Sequence, residues 1–339
     1  MGEVFAGRYE LVDPLGEGGA GVVWRAWDRR DGRYLAAKVL RQVDSASLLR
    51  FIREQAMRIE HANVLTPLGW AGEDDKVLFT MPIVRGGSVA TLLGDFGALP
   101  PRLVAVLLDQ TLSALEEIHA RGVVHRDVKP ANLLLDATGR SMPRLWLSDF
   151  GVAAAMDEPR LTRGPVALGT EGYLAPESRL PGWDPDPRAD LYAVGMCALE
   201  MGTSERPGVG TPGADLDVLP HGLAEVIRGL TEFDPDRRVT TATGARAALV
   251  ATGLLDAVAP DAVLGEVEVF DQLPPLPAGW GPEGPGEPVV TEPVAQTPQA
   301  PAETPQPPAE GIRRGLGLVT VLLVAGALVL ALTAYLAWG

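Results

Sequence analysis

Between residues 272 and 311 the chain places 12 of its 30 prolines among Gly, Gln, Thr and Ala. Proline donates no backbone hydrogen bond, so a stretch this dense can build neither helix nor sheet. The wider interval 251–310 holds no Lys or Arg and ten acids, from Asp256 to Glu310. Residues 272–314 therefore read as an extended acidic linker, which divides the chain into about 250 residues able to fold and a short tail. Residues 251–271 are left as a C-terminal extension of undecided structure.

The tail has its own logic. Arg313 and Arg314 precede 24 residues, 315–338, without a charge, and roughly 20 apolar residues suffice to cross a bilayer as a helix. Tyr335 and Trp338 sit near the end of that stretch, where amphipathic rings favour the interface. The expectation is a single-pass transmembrane helix at the C-terminus, with the arginine pair keeping the rest of the chain in the cytoplasm. Ala327 and Ala331 have the small-xxx-small spacing that lets such helices pair, so a homodimer is compatible with the sequence. Residues 1–15 carry Glu3, Glu10 and Asp13 and no apolar run, unlike a secretory signal.

Composition removes some functions. With 44 acidic against 29 basic residues the net charge is −15, which argues against nucleic-acid binding. Ten of those fifteen charges lie in the interval around the linker. One cysteine excludes an internal disulfide, and four scattered His offer no metal-ligand spacing. Only three of the basic residues are lysines, Lys38, Lys76 and Lys129, so each invites the question of why arginine would not serve.

The foldable part changes character along its length. Residues 9–15, 21–28 and 34–40 are short, β-branched or aromatic, and separated by Gly or Asp, which predicts strands. Residues 102–120 carry Leu103, Val106, Leu107, Leu112, Leu115 and Ile118 at helical spacing with Gly122 behind them, and 190–201 reads as a buried helix. Strands first and helices second predict an α+β fold in two lobes.

Chemistry-bearing residues fall at intervals through this part. Gly16-Glu17-Gly18-Gly19-Ala20-Gly21-Val22-Val23 fits G-x-G-x-x-G-x-V; the valines continue as a strand, which favours a glycine hairpin over a nucleotide rather than a dinucleotide-binding turn. Lys38 stands on an apolar strand, where a charge requires a carboxylate or phosphate partner, and Glu54 in the helical stretch 48–59 is the candidate carboxylate. His125-Arg126-Asp127-Val128-Lys129-Pro130-Ala131-Asn132 joins a carboxylate able to accept a hydroxyl proton, a lysine able to neutralise phosphoryl charge and an amide able to hold a metal. Asp149-Phe150-Gly151 follows, then Gly169-Thr170 and Ala175-Pro176-Glu177.

This ordered set resembles the Hanks-type, eukaryotic-like Ser/Thr protein kinases, particularly membrane-anchored bacterial ones, over roughly residues 8–250. The resemblance implies the bilobal protein-kinase fold, ATP and Mg²⁺ as cofactors, and protein substrates phosphorylated on Ser or Thr. It implies that the glycine loop (Gly16, Gly18, Gly21) covers the phosphates and that Lys38 contacts them while paired with Glu54. Asp127 would orient the substrate hydroxyl, Lys129 would stabilise the γ-phosphoryl group, and Asn132 and Asp149 would bind Mg²⁺. Leu15, Val23, Ala36 and Leu134 would enclose the adenine, Met81 would be the gatekeeper, and the Pro82 carbonyl and Val84 amide would meet the ring. Glu177 and Arg238 resemble the buried ion pair of the lower lobe, and Asp190 resembles the brace of the catalytic loop. Thr170 matches the threonine of the peptide-binding loop, and Thr162 is the candidate activating phosphosite. Two departures stand out: His61 follows Glu54 by only seven positions, and the interval 200–223 is too short for the usual substrate-docking helix. They keep a nucleotide-binding pseudokinase scaffold as the alternative reading.

Overall fold

A computed structural model describes residues 3–18, 21–41, 59–73, 76–149, 171–208 and 215–286. Glu54, Thr162, Thr170, the expected linker beyond residue 286 and the expected transmembrane residues 315–338 lie outside them. Among the described residues no helix is long and apolar enough to cross a membrane.

The first lobe is a six-stranded antiparallel sheet: β1 (Val4–Phe5), β2 (Tyr9–Gly18), β3 (Gly21–Asp28), β4 (Arg33–Arg41), β5 (Gly69–Glu73) and β6 (Lys76–Met81), in the order β1-β2-β3-β4-β6-β5. Pro14 is tolerated inside β2 because the pairing with β3 shifts register between Pro14 and Gly16. Side chains alternate across the strands. One face carries Ala26, Leu35 and Ala37 into a small core with Phe5, Tyr9, Leu11 and Leu78. The opposite face carries Val23, Arg25 and Trp27 from β3 and Tyr34, Ala36 and Lys38 from β4.

The second lobe is helical. Its central helices are α1 (Val89–Phe96), α2 (Pro101–Ala120) and α3 (Pro187–Thr203), joined later by α4 (His221–Leu230), α5 (Ala242–Val250) and α6 (Pro260–Leu264). Proline begins α2, where its missing N–H costs nothing, and Gly122 at φ 72° follows its end. The Asp186 side chain caps α3 by accepting from the Arg188 amide. Residues 189–199 of α3 are all buried, as the apolar run after Asp190 requires. Among the described residues between Ser204 and Pro220 there is only a short turn, Leu216–Val218, in keeping with the shortness of that interval.

One boundary differs from expectation. The structure describes residues 272–286, expected as linker, as chain packed on the first lobe with a small hairpin, β7 (Trp280–Gly281) and β8 (Gly284–Pro285). Prolines lack a donor but keep a carbonyl acceptor. Those of Pro274 and Pro275 accept from the Arg25 guanidinium at 2.9 and 3.3 Å. Residues 260–269, also left undecided, bury Val263, Leu264, Val267 and Val269 against the helical lobe.

Candidate active site

Between the lobes lies a cleft of ≈ 570 Å³. Its roof comes from Leu15, Gly16, Gly21 and Val23, where β2 turns into β3, and from Ala36 and Lys38 of β4. Strand pairing sets Ala36 opposite Met81 and Lys38 opposite Phe79, which brings the end of β6 and the following Pro82 and Val84 to the cleft's edge. Asp127, Lys129, Asn132, Leu134 and Asp149 form its floor. Residues widely separated in sequence are thus brought to one cavity. Gly18 pairs with Gly21 at the loop's root but does not line the cavity. Gly21 itself has φ 137°, and a Cβ there would stand 2.3 Å from the Val39 carbonyl oxygen. Gly21→Ala is expected to push β3 off β4 at the cleft's roof and to lower the melting temperature in calorimetry.

Lys38 is 5% exposed. A buried ammonium needs a partner, and its Nζ meets Asp149 Oδ1 at 2.8 Å. Across the floor, Lys129 Nζ donates to both oxygens of Asp127, at 2.9 and 2.8 Å. Asn132 Nδ2 donates to the Asp127 carbonyl at 2.7 Å and to its Oδ2 at 2.9 Å. Asp127 is therefore fixed by two neighbours from its own loop.

The loop is held in turn from below. Asp190, at the start of α3, accepts the amides of His125 and Arg126 at 2.7 and 2.8 Å, and also the ring of His119 at 2.8 Å. His125, fully buried, accepts the Asp127 amide on Nδ1, so Nε2 carries the proton and donates to the Ser148 carbonyl at 2.9 Å. Arg126 and Asp149 take positive φ, 68° and 63°, a conformation that side-chain-bearing residues adopt only when their surroundings enforce it. Burial lowers the Arg126 guanidinium from its ordinary pKa, against the opposing charge of Asp190.

A second hollow of ≈ 220 Å³ opens beside Asp127, lined among others by Arg126, Tyr173 and Trp183. The Tyr173 hydroxyl donates to Glu200, whose carboxyl is pushed up by burial. Farther down, Glu177 and Arg238 meet through two parallel bonds of 2.6 and 3.0 Å.

Several cleft residues had no expected role: Leu65, Ser88, Thr91 and Ser148. Ser88 and Thr91 form a capping box at the start of α1, a signal present in Ser-x-x-Thr. Ser148 bonds the Asn132 carbonyl through both its amide and its hydroxyl, and its position beside Asp149 was the only hint.

The site is fit for a hard cation. Among the described residues no donor meets the Asn132 side-chain oxygen, because its amide nitrogen faces Asp127, and Asp149 adds a carboxylate on the same floor.

The family model described as protein kinase domain matches residues 9–246. Among curated proteins the chain is similar to the DNA damage-responsive serine/threonine-protein kinase RqkA of Deinococcus radiodurans, 38% identical over 243 residues, which cover 69% of this chain and 35% of the relative. It is 37% identical over 245 residues to serine/threonine-protein kinase PkaA of Streptomyces coelicolor, covering 67% of this chain and 44% of the relative. With serine/threonine-protein kinase PknA of Mycobacterium tuberculosis it shares 35% identity over 221 residues, 62% of this chain and 50% of the relative. The matches span half or less of each of these relatives.

Proposed function

The chain belongs to the protein kinase domain family, and on that premise we propose that it transfers the γ-phosphoryl group of ATP to serine and threonine hydroxyls of proteins, its own included. The observation that carries this reading is the meeting of Lys38, Asp127, Lys129, Asn132 and Asp149 in one cleft roofed by a glycine hairpin. Phosphoryl transfer asks little covalent chemistry of a protein; it asks for positioning and for positive charge around the phosphates.

Lys38, in the roof, supplies that charge to the α and β phosphates. Asp127 orients the attacking hydroxyl and accepts its proton as the oxygen bonds to the γ-phosphorus and the bond to the β-phosphate oxygen breaks, releasing ADP. Lys129, already against Asp127, neutralises the phosphoryl group in passage. Asn132 and Asp149 would hold Mg²⁺, which when bound offsets charge on the phosphate oxygens. Leu15, Val23, Ala36 and Leu134 enclose the adenine, and Met81, Pro82 and Val84 border it. The hollow beside Asp127 receives the substrate chain, Thr170 belongs to the proposed peptide-binding loop, and Thr162 is the proposed autophosphorylation site. Lysine at 129 favours Ser/Thr over tyrosine acceptors. Glu54 is the proposed second partner of Lys38.

The test is incubation of the full chain with ATP and Mg²⁺ followed by mass spectrometry. Phosphothreonine should appear, at Thr162 among other positions; incorporation no greater than in Lys38→Met would sink the reading.

The same proposal places the enzyme at the cell membrane, held by residues 315–338 with the catalytic lobes in the cytoplasm, on the strength of 24 uncharged residues behind an arginine pair. Removal of 315–338 should move the chain from the membrane to the soluble fraction on centrifugation. An unchanged distribution contradicts the anchor.

A further inference from the structure

We propose that residues 271–286 form a strap that positions the sheet over the nucleotide, so that affinity for ATP depends on contacts made far from the phosphates by Arg25, Trp27 and Tyr34. The proposal rests on the reading of the cleft as a nucleotide site.

On β3, Val23 faces the cleft, and alternation puts Arg25 and Trp27 on that same face further along. On β4, Lys38 and Ala36 face the cleft, and Tyr34 continues the row. One face of the sheet is therefore shared: its inner half roofs the cleft, and its outer half is covered by the strap. Arg25, 3% exposed, is held by Asp13 at 2.7 and 2.5 Å and donates to the Pro274 and Pro275 carbonyls. The Tyr34 hydroxyl donates to the Gly281 carbonyl at 2.7 Å. The Tyr34 ring lies 4.9 Å from Trp27 and 6.2 Å from Trp280, centroid to centroid, and Gly284 fits against Trp27 so closely that a Cβ would stand 2.5 Å from the indole.

The other end is fastened to the helical lobe and to the connection between lobes. Val269 exchanges two backbone bonds of 3.0 Å with Gly139. The Gln272 amide donates to the Arg85 carbonyl at 2.6 Å, one residue beyond Val84, and the Arg85 guanidinium grips Asp271. A segment anchored on the lower lobe, at the joint and on the upper sheet restricts the angle between the two walls of the cleft. Loosening any of the three anchors frees the roof relative to the floor, and the nucleotide, which touches both, must then supply the ordering itself.

The measurement uses the full-length chain. Gly284→Val, whose side chain has no room against Trp27 and whose φ of 107° strains any residue but glycine, lifts the hairpin without touching the cleft. Tyr34→Ala removes the hydroxyl contact and the ring; Tyr34→Phe removes only the hydroxyl. Gly284→Val and Tyr34→Ala should each raise the Kd of a Mg²⁺-bound non-hydrolysable ATP analogue about five- to tenfold, the lower range for coupled sites. KM for ATP should rise in step while kcat stays within about twofold, and Tyr34→Phe should fall between wild type and Tyr34→Ala. Hydrogen exchange should speed up in the first two variants at the Gln272 amide and at the Gly86 amide, which donates to the Leu135 carbonyl at 2.8 Å and so ties the connection between the lobes to the floor. If Gly284→Val does not fold, Trp280→Ala takes its place. Analogue affinity and KM at wild-type values, in variants whose Gln272 amide exchanges faster, overturn the proposal. If the wild type binds no nucleotide, the reading of the cleft fails instead; the strap is then judged on exchange alone, and unchanged protection at Gly86 overturns it.

Discussion

Asp127→Asn should lower phosphoryl transfer by ~10²–10⁴-fold, the range for losing a positioned proton acceptor, while the Kd of an ATP analogue changes less than about threefold. The side chains are the same size, so the difference is chemical. A carboxamide does not accept the hydroxyl proton. It also disturbs the floor, because Lys129 Nζ donates to both oxygens of Asp127 and Asn132 adds a donor to one of them. In the variant one of those positions becomes an NH₂ group, donor facing donor, and Lys129 loses half its hold. The proposed nucleotide contacts of Lys38 and the glycine loop are untouched, which is why affinity and rate should separate. Single-turnover transfer at saturating ATP, set beside calorimetric binding, reads both quantities. A rate within tenfold of wild type would remove Asp127 from its role.

The second large effect concerns stability. Arg238→Ala should destabilise the fold by about 3–5 kcal/mol, because it leaves a largely buried carboxylate without its partner. The guanidinium of Arg238 is completely buried, and all five of its N–H groups have acceptors: two on Glu177 and one each on the carbonyls of Glu232, Arg188 and Phe233. It also lies over the Tyr192 ring at 4.9 Å. One side chain thereby ties the turn Pro176–Arg179 to the start of α3 and to the loop after α4. For a domain of this size the loss corresponds to a fall of roughly 10 °C in Tm. Arg238→Lys should recover little of it, since an ammonium has three donors and no planar fork. Glu177→Gln, which keeps shape and one acceptor, should cost less than Arg238→Ala. Differential scanning calorimetry orders the three, and equal melting of Arg238→Ala and wild type would deny the pair its structural weight.

Much of this was legible because the chemistry is local. The glycine hairpin, the loop 125–132 and Asp149 are short motifs whose residue types and spacing carry their own explanation, and the strands 9–15, 21–28 and 34–40 follow from alternation and turns. Asp190 and the Glu177 to Arg238 pair were legible only through resemblance, since nothing local ties residues 61 positions apart. The strap was not legible. Its contacts to Arg25 span about 250 positions, and its proline content, read for the donors it lacks, concealed the acceptors it offers. Gly284 looks like linker glycine until Trp27 is seen against it. The buried Arg25 gave the one signal available: a charged side chain in the middle of a strand on the cleft-facing side needs partners, and Asp13 leaves room for more. Lys38 shows the opposite case, where the need for a carboxylate was clear from the strand, and Asp149 at 2.8 Å meets it.

Label from γ-³²P ATP, with Mg²⁺, is to be followed into a general protein substrate for the wild-type chain, Asp127→Asn and Lys38→Met. Label is expected on serine and threonine with wild type and almost none with either variant. Equal labelling in all three, or none with wild type despite tight nucleotide binding, would contradict the kinase reading and leave a nucleotide-binding scaffold in its place.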